Sequence, residues 1–225
     1  MTLALSAIVE ILERSYGPAS PPVTDAFEAV LFEQIAYLAS DDKRANAFAQ
    51  LRERVGLTPA AILAAPPATL VEICERGGIN GAERAERLKR SAALVLERCA
   101  GDLAASLRQL PLTQARKLAR SFDSFGAANA ETLLLFAGIA VPALDSNCVR
   151  ALSRLWFGGE SGRYQADHKR ACEALAAQGP RDAVAFARTF WLLRRHGKTV
   201  CRRTEPECGA CPLAHACRFV HDSRG

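Results

Sequence analysis

The sequence predicts an all-α fold, and three features of its 225 residues lead to that prediction. Alanine, leucine, arginine and glutamate dominate the composition. Glycine and proline fall at intervals and divide the chain into segments of helical length. Runs of alternating apolar and polar residues, which are typical of half-buried strands, are missing from the sequence. Nearly the whole chain is therefore expected to form helices.

Local signals mark where these helices begin. Asp25 and Asp145 (or Ser146) are expected to cap helices, because short polar side chains accept hydrogen bonds from the free N–H groups of a first turn. Thr58 followed by Pro59 is a cap with proline at the first helical position. In chain order the expected helices cover residues 3–15, 25–38, 41–55, 58–64, 68–76, 82–99, 102–109, 112–121, 129–137, 145–157, 167–178 and 181–196.

The longest expected helix, residues 82–99, is amphipathic. Four of its apolar residues are expected to face inward, at Leu88, Leu94, Val95 and Leu96, and so is Ile79, which precedes the helix. Its solvent face is expected to carry the basic residues Arg84, Arg87, Lys89 and Arg90. Residues 201–225, by contrast, are too few and too irregular to form a core and must be held in place by something else.

The composition supports a folded protein and permits, without requiring, a nucleic-acid partner. Apolar residues make up 49% of the chain, and the formal net charge of +5 is mildly basic. The N-terminal segment lacks the basic start of a signal peptide, and Glu10, Glu13 and Arg14 interrupt its apolar run. No apolar stretch reaches about 18 residues, so no membrane span is expected. We therefore expect a soluble cytoplasmic protein, whose thiols stay reduced.

Four of the eight cysteines crowd together near the C-terminus, and their spacing indicates a metal site. The pattern C-x6-C-x2-C-x5-C is formed by Cys201, Cys208, Cys211 and Cys217. Thiolates bind soft metals, and four in one short loop can surround a single iron–sulfur centre. Zinc is an alternative, although its sites usually use two C-x2-C pairs, and a disulfide is another that a reducing compartment disfavours. The other cysteines are expected to be small buried apolar residues: Cys74, Cys99, Cys148 and Cys172.

This cysteine pattern resembles the [4Fe–4S] loop of the endonuclease III branch of the helix-hairpin-helix DNA glycosylases. The run HGKTVC at 196–201 and the segment PECGACPLAHAC at 206–217 are both similar to that loop. The resemblance covers residues 25–220 and is most specific at the cysteines. It implies that the four cysteines hold a [4Fe–4S] cluster and that the partner is double-stranded DNA.

In that family a hairpin of two helices contacts a DNA phosphate through backbone N–H groups, and glycines let the backbone approach closely. Here the hairpin falls at residues 114–137, and its turn is FDSFG at 122–126. Gly126 matches the second glycine of the family, whereas Ser124 stands at the first and Asp123 replaces the usual proline. The resemblance implies that Ser124 and Gly126 contact DNA. Taken alone, these residues would equally suit an ordinary turn between helices.

Asp145, in the segment LDSNCVRAL at 144–152, is similar to the catalytic aspartate of the family, most closely in the adenine-mismatch branch. An aspartate at a helix start is usually only a cap. Its place after the hairpin and before the cysteine loop favours a catalytic role instead. A carboxylate there can stabilise the oxocarbenium-like sugar that forms as a glycosidic bond breaks, and can orient the attacking water.

The sequence departs from the bifunctional members of the family at one position. Those enzymes carry a lysine on the second hairpin helix, and its amine forms a Schiff base with the sugar that permits strand cleavage. The aligned residue here is Ala128, and no lysine lies between Lys117 and Lys169. The resemblance therefore implies a monofunctional glycosylase without a lyase step.

Two further residues align with functional positions of the family. An ungapped count through residues 31–48 places Glu33 at the glutamate that protonates the base in the adenine-mismatch branch, and Tyr37 at a glutamine that fills the gap left by an extruded base. The alternatives are a helical glutamate that is exposed or pairs with an arginine, and a tyrosine that packs in the core. Contacts to DNA phosphates are implied for the basic residues near the cysteines, which are Lys198, Arg202 and Arg203, with Arg194 and Arg195 adjacent. A solvated basic face is the alternative for these.

The resemblance implies a two-lobed helix-hairpin-helix DNA glycosylase fold with a C-terminal iron–sulfur loop. One lobe, residues 25–140, would carry the hairpin, and the other, residues 1–24 with 141–225, would hold the cysteine loop 201–217. A monomer would bind DNA containing a damaged or mispaired base and hydrolyse the N-glycosidic bond of that base after extruding it. Two alternatives stay open: a catalytically weak iron–sulfur protein that recognises DNA lesions or DNA structure, which the altered hairpin and the lost lysine favour, and a redox protein unrelated to DNA.

Overall fold

A computed structural model describes residues 3–19, 21–179 and 182–222 of the chain. These residues form helices joined by turns, with an isolated parallel bridge between Tyr37 and Gly78, so the predicted all-α fold is confirmed. None of the described helices is long and apolar enough to cross a membrane. In chain order the helices are α1 (Leu5–Tyr16), α2 (Ala26–Gln34), α3 (Asp41–Arg54), α4 (Pro59–Ala64), α5 (Pro67–Arg76), α6 (Gly81–Cys99), α7 (Leu103–Gln109), α8 (Leu112–Ala119), α9 (Ala127–Phe136), α10 (Ser146–Phe157), α11 (Tyr164–Gln178), α12 (Ala183–Thr199) and α13 (Arg218–Asp222).

The chain divides into two compact units. The hairpin unit comprises Pro22–Gly138 and contains α2 to α9. The cysteine unit comprises Met1–Pro21 and Ile139–Gly225 and contains α1 and α10 to α13. Each unit has its own set of buried apolar side chains, and each is described by itself below.

The hairpin unit is built around α6, which packs against α4 and α5. The buried residues of α6 recur at helical spacing, at Arg84, Leu88, Ala92 and Val95. Arg84 therefore lies on the inward stripe of the helix, and the prediction that it belongs to the solvent face is wrong. Ile79 and Leu96, expected to face inward, are instead exposed. Ile79 precedes the helix, so the helical period does not govern its direction.

Helix α2 ends at Gln34, although the sequence predicted a helix through residue 38. The carbonyl of Ile35, which a longer helix would use for its own hydrogen bond, accepts one from the buried guanidinium of Arg84. The N–H of Tyr37 donates to the carbonyl of Gly77 at 3.0 Å, and Leu38 adopts a left-handed φ of 50°. Tertiary hydrogen bonds thus replace the last predicted turn. The next helix begins at Asp41, as predicted, and its cap is Ser40, whose hydroxyl accepts from the N–H of Lys43.

In the cysteine unit, α10 packs against α11, α12 and α13, and α1 packs against α12. Gly197 permits a close approach of α12 to the start of α10, because a Cβ there would lie 2.5 Å from the carbonyl oxygen of Asn147. Asp182 caps α12 by accepting from the N–H of Ala185. The predicted start of this helix at Arg181 lies outside the described residues. The chain beyond α12 is held by two 3-10 turns, Cys208–Ala210 and Ala214–Ala216, and by α13.

Candidate functional site

The four cysteines of the C-terminal loop line one pocket in the cysteine unit. Cys201 lies just beyond α12, Cys208 and Cys211 bracket the first 3-10 turn, and Cys217 precedes α13. The rest of the lining is mostly apolar and comes from α10, α12, α13 and the loop itself, including Ala151, Leu155, Val200, Leu213 and Val220. The sequence thus folds so that an all-thiol donor set opens into an apolar surround.

Two buried arginines of α10 hold the backbone of this loop. Arg150 donates to the carbonyls of Cys201 at 2.8 Å and Gly197 at 2.6 Å. Arg154 donates to the carbonyl of Arg202 at 2.6 Å and lies 3.6 Å from the sulfur of Cys201. Neither arginine was singled out from the sequence, because its partners lie about 50 residues away. Their spacing of one helical turn, after Asp145, is the signal in the sequence that points to them.

The donor set fits a soft metal centre rather than free thiols exposed to solvent. Burial raises the pKa of Cys201 above its ordinary value, although the neighbouring Arg154 and Arg150 oppose the rise. Burial, together with the nearby thiols, raises the pKa of Cys211 to about 11. Cys201 and Cys211 are therefore neutral thiols near pH 7 unless a positive centre lies among them, and iron in a thiolate-held cluster would supply such a centre. Within the described parts of the chain, no three His, Cys, Asp or Glu side chains are arranged to hold a single metal ion.

Asp145 lies at the N-terminus of α10, and both of its carboxylate oxygens are engaged. One oxygen accepts from the backbone N–H groups of Asn147 and Cys148, each at 2.9 Å, which confirms the predicted cap. The other accepts from the side-chain amide of Asn147 at 3.1 Å and from Arg194 of α12 at 2.6 Å. The aspartate side chain is 18% exposed and that of Arg194 is 20% exposed. The carboxylate is therefore fixed at the edge of the protein surface.

The surroundings of Asp145 favour its ionised form. Burial pushes its pKa upward, but the charge of Arg194 and the hydrogen bonds from Asn147 and Cys148 outweigh burial and leave the pKa below its usual range. Burial, together with the charge of Asp145, raises the pKa of the phenol of Tyr164 at the start of α11. Arg194 had been noted only as a basic residue near the cysteines, and no local signal links it to an aspartate 49 residues away.

The predicted hairpin is formed by α8 and α9 in the hairpin unit. Ser124 occupies a left-handed conformation with φ of 68°, as expected where the family has glycine. Its hydroxyl accepts from Arg87 at 2.7 Å, and Asp123 pairs with Arg90 at 2.8 Å. Gly126 precedes α9, and a Cβ there would meet nothing within 4 Å. No side chain caps α9, so the N–H groups of its first turn carry no side-chain partner.

Gln34 ties this turn to the rest of the hairpin unit. Its amide nitrogen donates to the carbonyl of Asp123 at 3.0 Å, and its amide oxygen accepts from Ser91 at 2.9 Å. The residue is buried between α2 and α6. The hairpin turn is thus held through the side chains of Asp123 and Ser124 and through the backbone carbonyl of Asp123.

A second feature of the hairpin unit is a pair of loops with exposed apolar side chains. Tyr37 is 53% exposed and Ile79 is 52% exposed. Arg84, 2% exposed, lies beneath them and donates to the carbonyls of Gly78 at 2.7 Å and Ile79 at 2.8 Å as well as to that of Ile35. The exposed position of Tyr37 is incompatible with the core-packing alternative. Ile79 is a second exposed apolar side chain beside Tyr37, and its exposure was not predicted from the sequence.

Glu33 and the predicted basic residues lie on the surface. Glu33 is 43% exposed, and its carboxylate pairs with Arg44 at 3.4 Å. Arg202 pairs with Glu207 at 2.9 Å, and Arg203 is exposed. Lys198 lies on the last turn of α12 and is half-buried.

The structure brings together some of the predicted site residues within each unit. Ser124 and Gly126 lie in the hairpin turn. Glu33 lies in the last turn of α2, and Tyr37 lies in the loop that follows that helix. Asp145, the basic residues and the four cysteines belong to the cysteine unit, which contains all the predicted ligands.

Comparison with known proteins identifies the fold. The sequence matches no family model and no curated protein. Among solved structures, a trapped endonuclease III–DNA covalent intermediate is 18% identical, with a TM-score of 0.72 over 100% of both chains. A non-covalent endonuclease III–DNA complex is 19% identical, with a TM-score of 0.72 over 99% of both chains. A thermostable thymine-DNA glycosylase is 20% identical, with a TM-score of 0.75 over 97% of this chain and 95% of the other. The chain therefore has the helix-hairpin-helix fold of these proteins along its whole length.

Proposed function

We propose that this chain, which has the fold of endonuclease III, is a monofunctional DNA glycosylase of the endonuclease III type. The observation that carries the proposal is the similarity of fold along the full chain to DNA glycosylases, two of them in structures with DNA. A fold can host unrelated activities, so the site must supply the chemistry. Asp145 supplies it, because it is a fixed, ionised carboxylate at the protein surface.

In the proposed reaction, water replaces the base on the sugar. The bond between the sugar carbon and the base nitrogen breaks, the water oxygen bonds to that carbon, and the base leaves with one proton from the water. The sugar passes through a state with oxocarbenium character, and the negative charge of Asp145 stabilises it. Ala128 stands where a lysine would attack the sugar and has no nucleophile, so the product is an intact strand with an abasic site.

The proposed proton donor to the base, Glu33, is the less supported of the two carboxylates. In the free protein its carboxylate is partly exposed and pairs with Arg44 at 3.4 Å. If Glu33 acts in this way, Glu33→Gln should slow base release much more than Arg44→Gln does. Equal effects would mean that Glu33 only stabilises the fold.

The proposed DNA surface of the hairpin unit combines backbone and apolar contacts. The open space at Gly126 and the uncapped first turn of α9 leave N–H groups available to a phosphate. Tyr37 and Ile79 are exposed apolar side chains on loops that Arg84 holds together. Such side chains can enter a base stack and occupy the space of an extruded nucleotide. In the cysteine unit, Lys198, Arg202 and Arg203 are the proposed phosphate contacts.

The proposed cofactor is a [4Fe–4S] cluster held by Cys201, Cys208, Cys211 and Cys217. When bound, such a cluster would act as a structural cross-link between four points of the loop. Arg150 and Arg154 already hold the backbone of that loop from α10. The same loop presents Arg202 and Arg203, so its order would also place two cations.

The activity is tested by incubating the protein with duplexes that carry an oxidised pyrimidine, an alkylated purine, a mispaired adenine or a mispaired thymine, and then adding alkali. We expect alkali-dependent cleavage at one class of base, abolished by Asp145→Asn. Asp102→Asn, which alters the cap of α7, is the matched control and should keep the activity. Binding of these duplexes without release of any base would instead support the alternative, a DNA-binding protein without catalysis. The altered hairpin turn, with Asp123 and Ser124, and the lack of a lysine at Ala128 favour that alternative.

The cofactor is tested separately by anaerobic purification and by iron and sulfide analysis. We expect about four of each per chain and a brown colour. Cys217→Ser should lower the iron content and the yield of folded protein, whereas Cys172→Ser, outside the loop, should change neither. A colourless protein without iron would remove the basis for the proposed cofactor.

A further inference from the structure

The carboxylate of Asp145 is anchored from two different helices. The hydrogen bonds from Asn147 and Cys148 come from the first turn of α10 and are those of any capping aspartate. The bond from Arg194 comes from α12 and adds a full positive charge at 2.6 Å. A cap needs no such partner, so the second anchor serves something other than the start of the helix.

We propose that Arg194 is a positioning residue for the glycosylase reaction: from α12 it holds one oxygen of Asp145 and keeps that carboxylate ionised and in a single orientation. This inference rests on the proposed function, since it assigns Arg194 a role in that reaction. Arg194 itself touches neither base nor sugar in this proposal and acts through Asp145.

The ion pair between Arg194 and Asp145 is shielded from solvent and restrained by its surroundings. Both side chains are about four-fifths covered, so water and salt screen their attraction less than at an open surface. The guanidinium of Arg194 also lies 5.6 Å from the centre of the Trp191 ring, which restricts where it can go. A carboxylate held at both oxygens loses little orientational freedom when the sugar arrives, and preorganised charge is the most effective kind in catalysis.

Cys148, Tyr164 and Arg194 interact electrostatically with Asp145, and they belong to α10, α11 and α12. Cys148 of α10 is buried, and its pKa is raised by burial and by the charge of Asp145. Tyr164 of α11 likewise has a raised pKa. Both are therefore neutral near pH 7 and offer Asp145 no charge. Arg194 of α12 is the cation of the set, so the low pKa of Asp145 should depend mainly on it.

The proposal is tested on the base that the wild-type protein releases, with enzyme in excess so that the rate reports chemistry rather than binding. We expect the wild-type profile to show no acid limb above about pH 4.5. In Arg194→Gln the acid limb should move up by about 1 to 3 pH units, so that the rate at pH 5 falls relative to pH 7.5 in this variant but not in the wild type. Arg194→Lys keeps the charge and should restore most of the lost rate at pH 5.

Arg188→Gln is the matched control. Arg188 lies on the same helix and pairs with a carboxylate, Glu13, that has no part in the reaction. It should leave the pH profile unchanged. An unshifted acid limb in Arg194→Gln, or a faster reaction at pH 7.5, would overturn the proposal, because Arg194 would then be either dispensable or a restraint on Asp145.

A second measurement separates this proposal from the function on which it rests. Carbon-13 NMR of the aspartate carboxyl groups, with Asp145 assigned by comparison with Asp145→Asn, reports the pKa of Asp145 without any substrate. We expect that pKa to rise in Arg194→Gln and to stay low in Arg188→Gln. If wild-type protein releases no base, the proposed function fails and the positioning role of Arg194 fails with it. If base is released but the pKa of Asp145 does not respond to Arg194, only the present proposal fails.

Discussion

Arg84 offers a quantitative test of how the hairpin unit is held together. The side chain is buried, and the structure pairs its guanidinium with the backbone carbonyls of Ile35, Gly78 and Ile79. These carbonyls belong to two loops that are also joined by the hydrogen bond from Tyr37 to Gly77. A Cβ at Gly77 would lie 2.3 Å from the carbonyl oxygen of Ile35, so the two loops approach as closely as backbone allows. Arg84 thus replaces the hydrogen bonds that α2 gives up when it ends.

The cost of removing this cation can be worked out from its partners. A hydrogen bond to a charged group contributes about 1.5 to 3 kcal/mol, and a buried carbonyl left without a partner costs about 1 to 3 kcal/mol. Because the loops lie near the surface, water can reach some of the freed carbonyls. We therefore expect Arg84→Met, which keeps the apolar stem, to lower the free energy of unfolding by ~3 kcal/mol. Arg84→Lys should cost ~1 to 2 kcal/mol, since an ammonium cannot reach all three carbonyls at once.

The assay is urea unfolding followed by circular dichroism, with hydrogen exchange of the Tyr37 amide as a local readout. Arg87→Met is the matched control: it lies on the same helix, but its partners Glu83 and Ser124 are exposed, so its loss should cost ~0.5 kcal/mol. The Tyr37 amide should exchange faster in Arg84→Met and not in the control. Equal losses of stability in the two variants would refute the assignment of Arg84 as the residue that joins the loops.

Four further predictions concern the rest of the chain. Gly197→Ala places a Cβ 2.5 Å from the carbonyl of Asn147 and should cost ~1 to 3 kcal/mol in urea unfolding, whereas Gly209→Ala meets nothing within 4 Å and should be neutral. Asp25→Ala removes the cap of α2 and should cost ~1 kcal/mol in the same assay. The pKa of Asp145 is lowered in the folded protein, so its contribution to stability is present above the unfolded pKa of about 3.9 and is lost as the pH falls through the folded pKa. The difference in the free energy of unfolding between wild type and Asp145→Asn should therefore shrink below about pH 4. Replacing Arg203 by serine should lower the slope of log affinity for duplex DNA against log salt by about one, and an unchanged slope would exclude a phosphate contact there.

The parts of the fold that the sequence predicted are those that depend on neighbouring residues. Thr58 and Asp145 cap the helices that they precede, since a cap needs only the N–H groups two or three residues ahead. The hairpin turn was located through Gly126 and its neighbours for the same reason. The long helix α6 was also predicted within one residue at its start, because its apolar period is regular.

The parts that the sequence did not predict depend on contacts between distant residues. The end of α2 is set by Arg84, 49 residues away, which takes the carbonyl of Ile35. Arg84 was expected in solvent because arginine is rarely buried, although its spacing from Leu88 and Ala92 already placed it on the inward stripe. The pairing of Arg194 with Asp145 likewise joins helices that only tertiary packing brings together. Both arginines were therefore assigned from the sequence to groups of exposed basic residues, whereas each one pairs with a distant part of its own unit.

The cysteine loop illustrates a third case, in which spacing predicts chemistry better than it predicts structure. The pattern of four cysteines indicated one shared centre, and the structure places all four around one pocket. The 3-10 turns and the arginines of α10 that hold the loop had no signal of their own in the sequence. The assignment of the cluster itself stays a prediction until iron is measured.

The most direct test of the account is the mass of a DNA strand after reaction. A duplex carrying the susceptible base is incubated with the protein, and the strand is analysed by mass spectrometry without alkali. The account predicts a full-length strand that has lost the base and gained one water, absent when Asp145→Asn replaces the wild type. Unchanged strands across the whole set of bases would contradict the assignment as a glycosylase.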